Sequence, residues 1–448
     1  MSIKGLVASL VLGVGLVAEA RVAVPKPFLW GVSNSAFQVE GTPADSDWRR
    51  WTLQPGKIKD GTAADRATDF WNRFPEDARL AQEGGLNAFR MSVAWERIQP
   101  GPDRWDEAAL AHYEKMIVEL RRRGLEPVVT LQHFALPGWL ADRGGLLAAE
   151  FVPKFARYAV TVVSRLSRPP ARVKYWMTIN EPMILVRGAY LEGDWPPGIR
   201  NPKLAMMAAG ALAKAHLEAV REIRGRCGAG PWVSIAKNWQ VFQAADGNPL
   251  SLVAAEQLEY LFNKQFMNAA LKGEIAFWMP GLPQPTVEKV PLPGGRAAMD
   301  YLGINNYGRW LVSHSAEPPG FKLAEGPGPK SDMGWEIFPE ALYRALKHAA
   351  GYGLPILVSE NGVADRSDAL RGKFLEEHLA WIARARREGI PVFGYLYWSL
   401  TDNFEWAHGL APRFGLVEMD YETLERKPRA SYYRFRDLVS RYREEFKD

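Results

Sequence analysis

Apolar positions along this chain follow two alternating patterns. Short runs that are apolar at nearly every position, rich in β-branched and aromatic residues, alternate with longer stretches in which apolar residues recur at helical spacing. The short runs are FLWGVS (28–33), AFRMSV (88–93), EPVVTLQ (126–132), VKYWMTI (173–179), WVSIAK (232–237), DYLGIN (300–305), PILVSE (355–360) and PVFGYLYW (391–398). Helical spacing covers 106–124, 150–166, 203–224, 250–271, 340–350 and 369–387; the first of these ends in basic residues and a glycine stop. Strands without a polar face belong to a parallel sheet covered by helices on both sides. Eight such units in succession predict an α/β fold, a single (β/α)₈ TIM barrel with loop insertions, rather than an open doubly wound sheet. No Gly-x-Gly-x-x-Gly follows the first run, which weakens a dinucleotide-binding reading. The Pro/Gly-rich stretches 280–295 and 317–330 read as loops, because the alternation resumes after each.

The chain has 448 residues, and one barrel with insertions can reach that length without a second domain. A net charge of +5 and a pI near 9.1 raise the question of an anionic partner. The basic residues are scattered over helices with acids interleaved, as in ELRRRG (119–124) and RFRDLVSRYREEF (434–446), which describes solvated faces rather than a nucleic-acid-binding stripe. The single cysteine, Cys227, forms no intrachain disulfide.

Residues 1–20 differ in kind. A short positive start, the uncharged GLVASLVLGVGLVA (5–18) and the small-residue site Ala18-Glu19-Ala20 read as a secretory signal peptide, which leaves 21–448 as the folded catalytic domain. The expected location is secreted or periplasmic, or cytoplasmic if the segment is not a working signal. No membrane association beyond export is expected.

Candidate chemistry sits at strand ends. The fourth run breaks off as WMTINEP (176–182), with Asn180, Glu181 and Pro182 directly after apolar residues, and the seventh breaks off as ILVSENG (356–362), with Glu360, Asn361 and a glycine. In a barrel both ends face the active-site mouth. Two carboxylates at one mouth are what glycoside hydrolysis needs, one to protonate the departing oxygen and one to meet the oxocarbenium-like centre from the other face. Gln38, His133, Asn180 and Asn305 can bond hydroxyls, and Trp398 and Trp406 offer flat faces to a pyranose ring. Metal chemistry fits poorly, since the seven histidines are dispersed without a paired motif. No cofactor is expected.

From FLWGVSNSAFQVEG (28–41) to RKPRASYYRF (426–435), the chain resembles glycoside hydrolase family 1, the retaining β-glycosidases; WMTINEP, SENG and YWSLTDNFEWAHGLAPRFGL (397–416) together carry the resemblance. It implies that Glu181 is the general acid/base and Glu360 the nucleophile, that Arg90 and Tyr307 contact the nucleophile, and that Asn180 holds the 2-hydroxyl. Gln38, His133, Trp398, Glu405 and Trp406 match binders of the other hydroxyls, and Trp335 matches the tryptophan beside the leaving group. The implied activity is a retaining exo-β-glycosidase that removes terminal, unphosphorylated β-D-glycosyl residues. β-Glucosidase comes first, with galactoside, fucoside or mannoside cleavage open. The carboxyl groups should then lie roughly 5–5.5 Å apart, against about 6.5–9.5 Å for inversion. The rivals are a non-catalytic sugar-binding relative and a transglycosylase. The chain departs from the family pattern at Phe134, where tryptophan is usual, and at Asn306, where tyrosine is common. The early loop TPADSDWRRW (42–51) resembles the archaeal-like branch and implies an open leaving-group side.

Overall fold

The computed structural model describes residues 23–295, 297–317 and 319–446. The proposed signal segment lies outside them. The eight apolar runs form strands β1 (Leu29–Ser33), β2 (Ala88–Ser92), β3 (Glu126–Gln132), β4 (Tyr175–Asn180), β5 (Trp232–Asn238), β6 (Leu302–Asn305), β7 (Ile356–Asn361) and β8 (Val392–Trp398). Each pairs in parallel with its sequence neighbours, and β8 pairs with β1, so the sheet closes into a barrel. The predicted starts and ends agree with these bounds to within two residues.

The longer helices are α1 (Phe70–Glu83), α2 (Glu107–Arg122), α3 (Phe151–Leu166), α4 (Pro202–Cys227), α5 (Pro249–Glu259), α6 (Gln265–Lys272), α7 (Glu340–Ala350), α8 (Arg371–Arg387) and α9 (Ala430–Glu445). Asp106 caps α2 through the Ala109 amide at 2.9 Å, and Asn201 caps α4 with Pro202 as its first helical residue. The predicted helix over 250–271 is not continuous. A π-helical stretch, Tyr260–Lys264, separates α5 from α6. Among the described residues, no helix is long and apolar enough to cross a membrane.

Two apolar layers hold the barrel. Leu29, Ala88, Val128, Met177, Leu357 and Phe393 fill its axis, while a far larger cluster lies between strands and helices. The two Pro/Gly stretches are not wholly irregular. Phe321–Ala324 pairs with Arg309–His314, which pairs with Val241–Ala244, and this small sheet stands beside the mouth.

Candidate active site

Strand register delivers the two carboxylates. Pairing of β4 with β5 slips between Met177 and Asn180, and the Glu181 amide then donates to the Ala236 carbonyl at 2.7 Å. Glu181 adopts a left-handed backbone (φ 41°, ψ 59°), a conformation that costs an L-residue roughly 1–2 kcal/mol, and Pro182 opens a short helix behind it. β7 has a matching slip against β6 between Val358 and Glu360. Gly362 follows because a Cβ there would stand 1.9 Å from the Trp398 carbonyl oxygen; the glycine that stops the SENG run is a steric requirement.

A continuous polar network joins the two acids. The fully buried Arg90 guanidinium pairs with Glu360 Oε1 and donates to Asn180 Oδ1 at 2.7 Å and Thr130 Oγ1 at 3.1 Å. The Tyr307 hydroxyl donates to Glu360 Oε2 at 2.8 Å, so both oxygens of Glu360 are held. Asn305 Nδ2 donates to Asn180 Oδ1 at 3.3 Å and to Glu181 Oε1 at 2.9 Å, and Asn238 Nδ2 adds a second amide to Glu181 Oε1 at 3.0 Å. Among the described residues no protein group bonds Glu181 Oε2.

Burial, seconded by the charge of Glu360, pushes Glu181 up to about 7, against the pull of Asn305, Asn238 and Arg90. A carboxyl group so placed stays protonated near neutrality. Burial lifts Glu405 further, to about 8, with Glu360 and Glu181 adding to it. Burial and the nearby Arg90 hold His133 well below the usual imidazole range, so it is neutral. Its Nε2 meets Asn180 Nδ2 at 3.1 Å, whereas Nδ1 has no protein partner.

The acids open onto a cavity of about 510 Å³. Its wall includes Gln38, His133, Asn180, Tyr307, Trp335, Trp398, Glu405 and Trp406, so nearly every sequence-predicted site residue reaches it. Arg90 and Asn305 are brought to the site but not to the wall. Asn305 Oδ1 accepts from Ser359 Oγ at 2.6 Å while its amide holds Glu181, which makes it a bracket between β6, β7 and the acid. Gln38 Nε2 is committed to the Phe404 carbonyl at 2.8 Å, Asn403 at 3.1 Å and Glu405 at 3.3 Å.

Aromatic rings form the rest. Trp406 stacks on Phe37 at 5.6 Å and meets Trp48 at 4.7 Å. Phe134 packs 5.0 Å from Trp406 and 4.8 Å from Trp195, a residue that sequence reasoning missed because it comes from an irregular loop. Trp335 is half-buried against Tyr307 (5.7 Å) and Phe414 (6.2 Å). Asn306 points away from the cavity, its Nδ2 donating to the Trp239 carbonyl at 2.9 Å. Asn238 was also missed, since β5 ends one residue later than its apolar pattern suggests; an amide at a barrel strand end was the available signal.

The raised carboxyl groups have a cost in stability. Folded values of about 7 and about 8 lie above the ordinary 4.5, so the folded chain keeps protons that the unfolded chain has lost. Glu405→Gln is therefore expected to raise Tm by roughly a few degrees at pH ~8.5 and to leave it unchanged at pH ~4 in calorimetry. An equal change at both values would contradict this account of Glu405.

The comparisons with known proteins agree with this arrangement. The family model described as Glycosyl hydrolase family 1 matches residues 20–444. β-Glucosidase A of Thermotoga maritima is 33% identical over 439 residues, 93% of this chain and 97% of that one. A bifunctional β-D-glucosidase/β-D-fucosidase of Bifidobacterium breve is 31% identical over 93% of this chain and 98% of its own length. Among solved structures, a β-glycosidase from Pyrococcus horikoshii superposes with a TM-score of 0.85 at 33% identity, covering 94% of this chain and 96% of that one. With two strand-end carboxylates on one cavity and a family match along nearly its whole length, this chain belongs to glycosyl hydrolase family 1.

Proposed function

We propose that the chain is a retaining exo-β-glycosidase in which Glu360 is the nucleophile and Glu181 the acid/base. One observation carries the reading: Glu360 is held at both oxygens by Arg90 and Tyr307, while Glu181 is held at one oxygen only and its other oxygen is left to the cavity. Retention is the family's general property.

In the first step a Glu360 oxygen attacks the anomeric carbon as the glycosidic bond breaks, and Glu181 gives its proton to the departing oxygen. The charge of Glu360 is consumed in the ester. One of the causes that raises Glu181 is thereby removed, and the group is left as the base that takes a proton from water in the second step. Asn180, fixed by Arg90 and Asn305, presents its amide side toward the 2-hydroxyl, beside the neutral His133 ring whose Nε2 meets that amide.

The preferred substrate is an unphosphorylated β-glucoside, with fucosides and galactosides as alternatives. Burial raises Glu405, with Glu360 and Glu181 adding to it, and a sugar 6-phosphate would bring further negative charge toward these carboxyl groups. A panel of nitrophenyl β-glucoside, galactoside, fucoside, mannoside and 6-phosphoglucoside tests this. Turnover is expected on the unphosphorylated sugars and not on the phosphorylated one. A preference for 6-phosphoglucoside would overturn the role of Glu405, and binding without turnover across the panel would favour a sugar-binding protein. Transfer to added alcohol or sugar in place of water would identify a transglycosylase.

A further inference from the structure

Period-two alternation along β5 turns Ser234, Ala236 and Asn238 toward the barrel axis and Val233, Ile235 and Lys237 toward the helices. Val233 and Ile235 lie in the apolar layer there. Lys237 is 2% exposed, so it sets an ammonium where its two predecessors set hydrocarbon. A buried ammonium needs partners. Lys237 Nζ donates to the Asn238 carbonyl and, at 3.1 Å, to Asn263 Oδ1, and it sits 4.6 Å from the centre of the Phe262 ring.

The network around it runs in two directions. Outward, Asn263 Nδ2 donates to Glu259 Oε2 at 2.7 Å, and His348 Nδ1 lies 3.4 Å from Glu259 Oε1 at the surface. Inward, Asn263 Nδ2 also bonds the Gln240 carbonyl at 2.8 Å, Gln240 Nε2 donates to Asn238 Oδ1 at 2.5 Å, and Asn238 Nδ2 donates to Glu181 Oε1. Phe262 and Asn263 both belong to the π-helical stretch between α5 and α6, and such turns recur beside functional sites.

We infer that Lys237 is a positioning residue for the acid/base: through Asn263, Gln240 and the Asn238 backbone it keeps the Asn238 amide aimed at Glu181, and its positive charge favours the anionic Glu181 formed when the proton leaves. The inference rests on the assignment of Glu181 given above. Burial lowers Lys237 to about 7, while Glu259 and then Glu181 oppose that fall. The other titratable and charged groups in play are Glu360, Arg90 and Glu405 around Glu181, and Glu259 with His348 beside it on the outer side. Lys237 does not reach the cavity wall, so it acts on catalysis and not on sugar binding.

The test is a pH profile of kcat/KM for Lys237→Met and Lys237→Gln beside the wild type, on one poor and one activated aryl glycoside. Loss of a nearby cation raises the pKa of a carboxyl group, so the basic limb is expected to move up by roughly half a unit or more in both variants. kcat on the poor leaving group should fall about tenfold, the order expected for a group turned slightly off line, with KM little changed. A basic limb at the wild-type position overturns the inference, even where activity is lower throughout. If Lys237→Met does not fold, Lys237→Gln, which keeps a donor, decides alone. Glu181→Ala run in parallel separates the two readings. If the limb survives without Glu181, the acid/base assignment fails; if it disappears there but stays put in the Lys237 variants, only the positioning role fails.

Discussion

Glu360→Ala is expected to remove glycoside hydrolysis almost completely, by on the order of 10⁴-fold or more in kcat, on every substrate whatever its leaving group. The alanine cannot form the ester, and the loss falls on the step that all substrates share. Arg90 would then be left in a buried site without its carboxylate, so a drop in stability of a few kcal/mol is expected alongside (~3–5). Glu360→Gln separates the two effects. It keeps the shape and an acceptor for Arg90 but not the charge, and should be as inactive while losing less Tm. Activity within about tenfold of wild type in either variant would remove Glu360 from the chemistry.

Glu181→Ala is expected to divide substrates by leaving group. General acid help is worth roughly 10²–10⁴-fold, and only where the departing oxygen needs a proton. Alkyl glycosides should therefore lose that factor in kcat/KM, while a dinitrophenyl glycoside, whose phenolate leaves unaided, should keep its bond-breaking rate and be slowed at the later water step. The wild-type kcat/KM should fall on a basic limb near pH 7, set by Glu181, and that limb should be absent from the Glu181→Ala profile on the activated substrate. Equal losses on both substrates would move the acid role elsewhere.

Much of this was legible before any coordinates. The strands are buried on both faces, so each reads as an unbroken apolar run, and a carboxylate that ends such a run stands out: Glu181 and Glu360 were visible for that reason. α1 was not visible, because Pro75 lies within it and reads as a break, although the surrounding packing holds the helix together. The π-helical stretch at Tyr260–Lys264 leaves helical periodicity nearly intact, yet it is what turns Asn263 inward. The Val241–Ala244, Arg309–His314 and Phe321–Ala324 sheet joins segments far apart in the chain and has no local signature. At the site the residue types were readable, and the hydrogen bonds between them were not. Asn305 looks like a sugar ligand in sequence and is a bracket for Glu181 in space, and Phe134, a departure from the family pattern, is accommodated between Trp195 and Trp406.

The double displacement at Glu360 is tested most directly by trapping. A 2-deoxy-2-fluoro-β-glycoside with an activated leaving group slows the second step more than the first, so intact-mass and peptide analysis should find one glycosyl group per chain, attached at Glu360. Inactivation that tracks labelling, with activity returning as the label is released, is the predicted result. A protein that turns over the parent substrate yet carries no label, or carries it on a residue other than Glu360, would contradict the assignment.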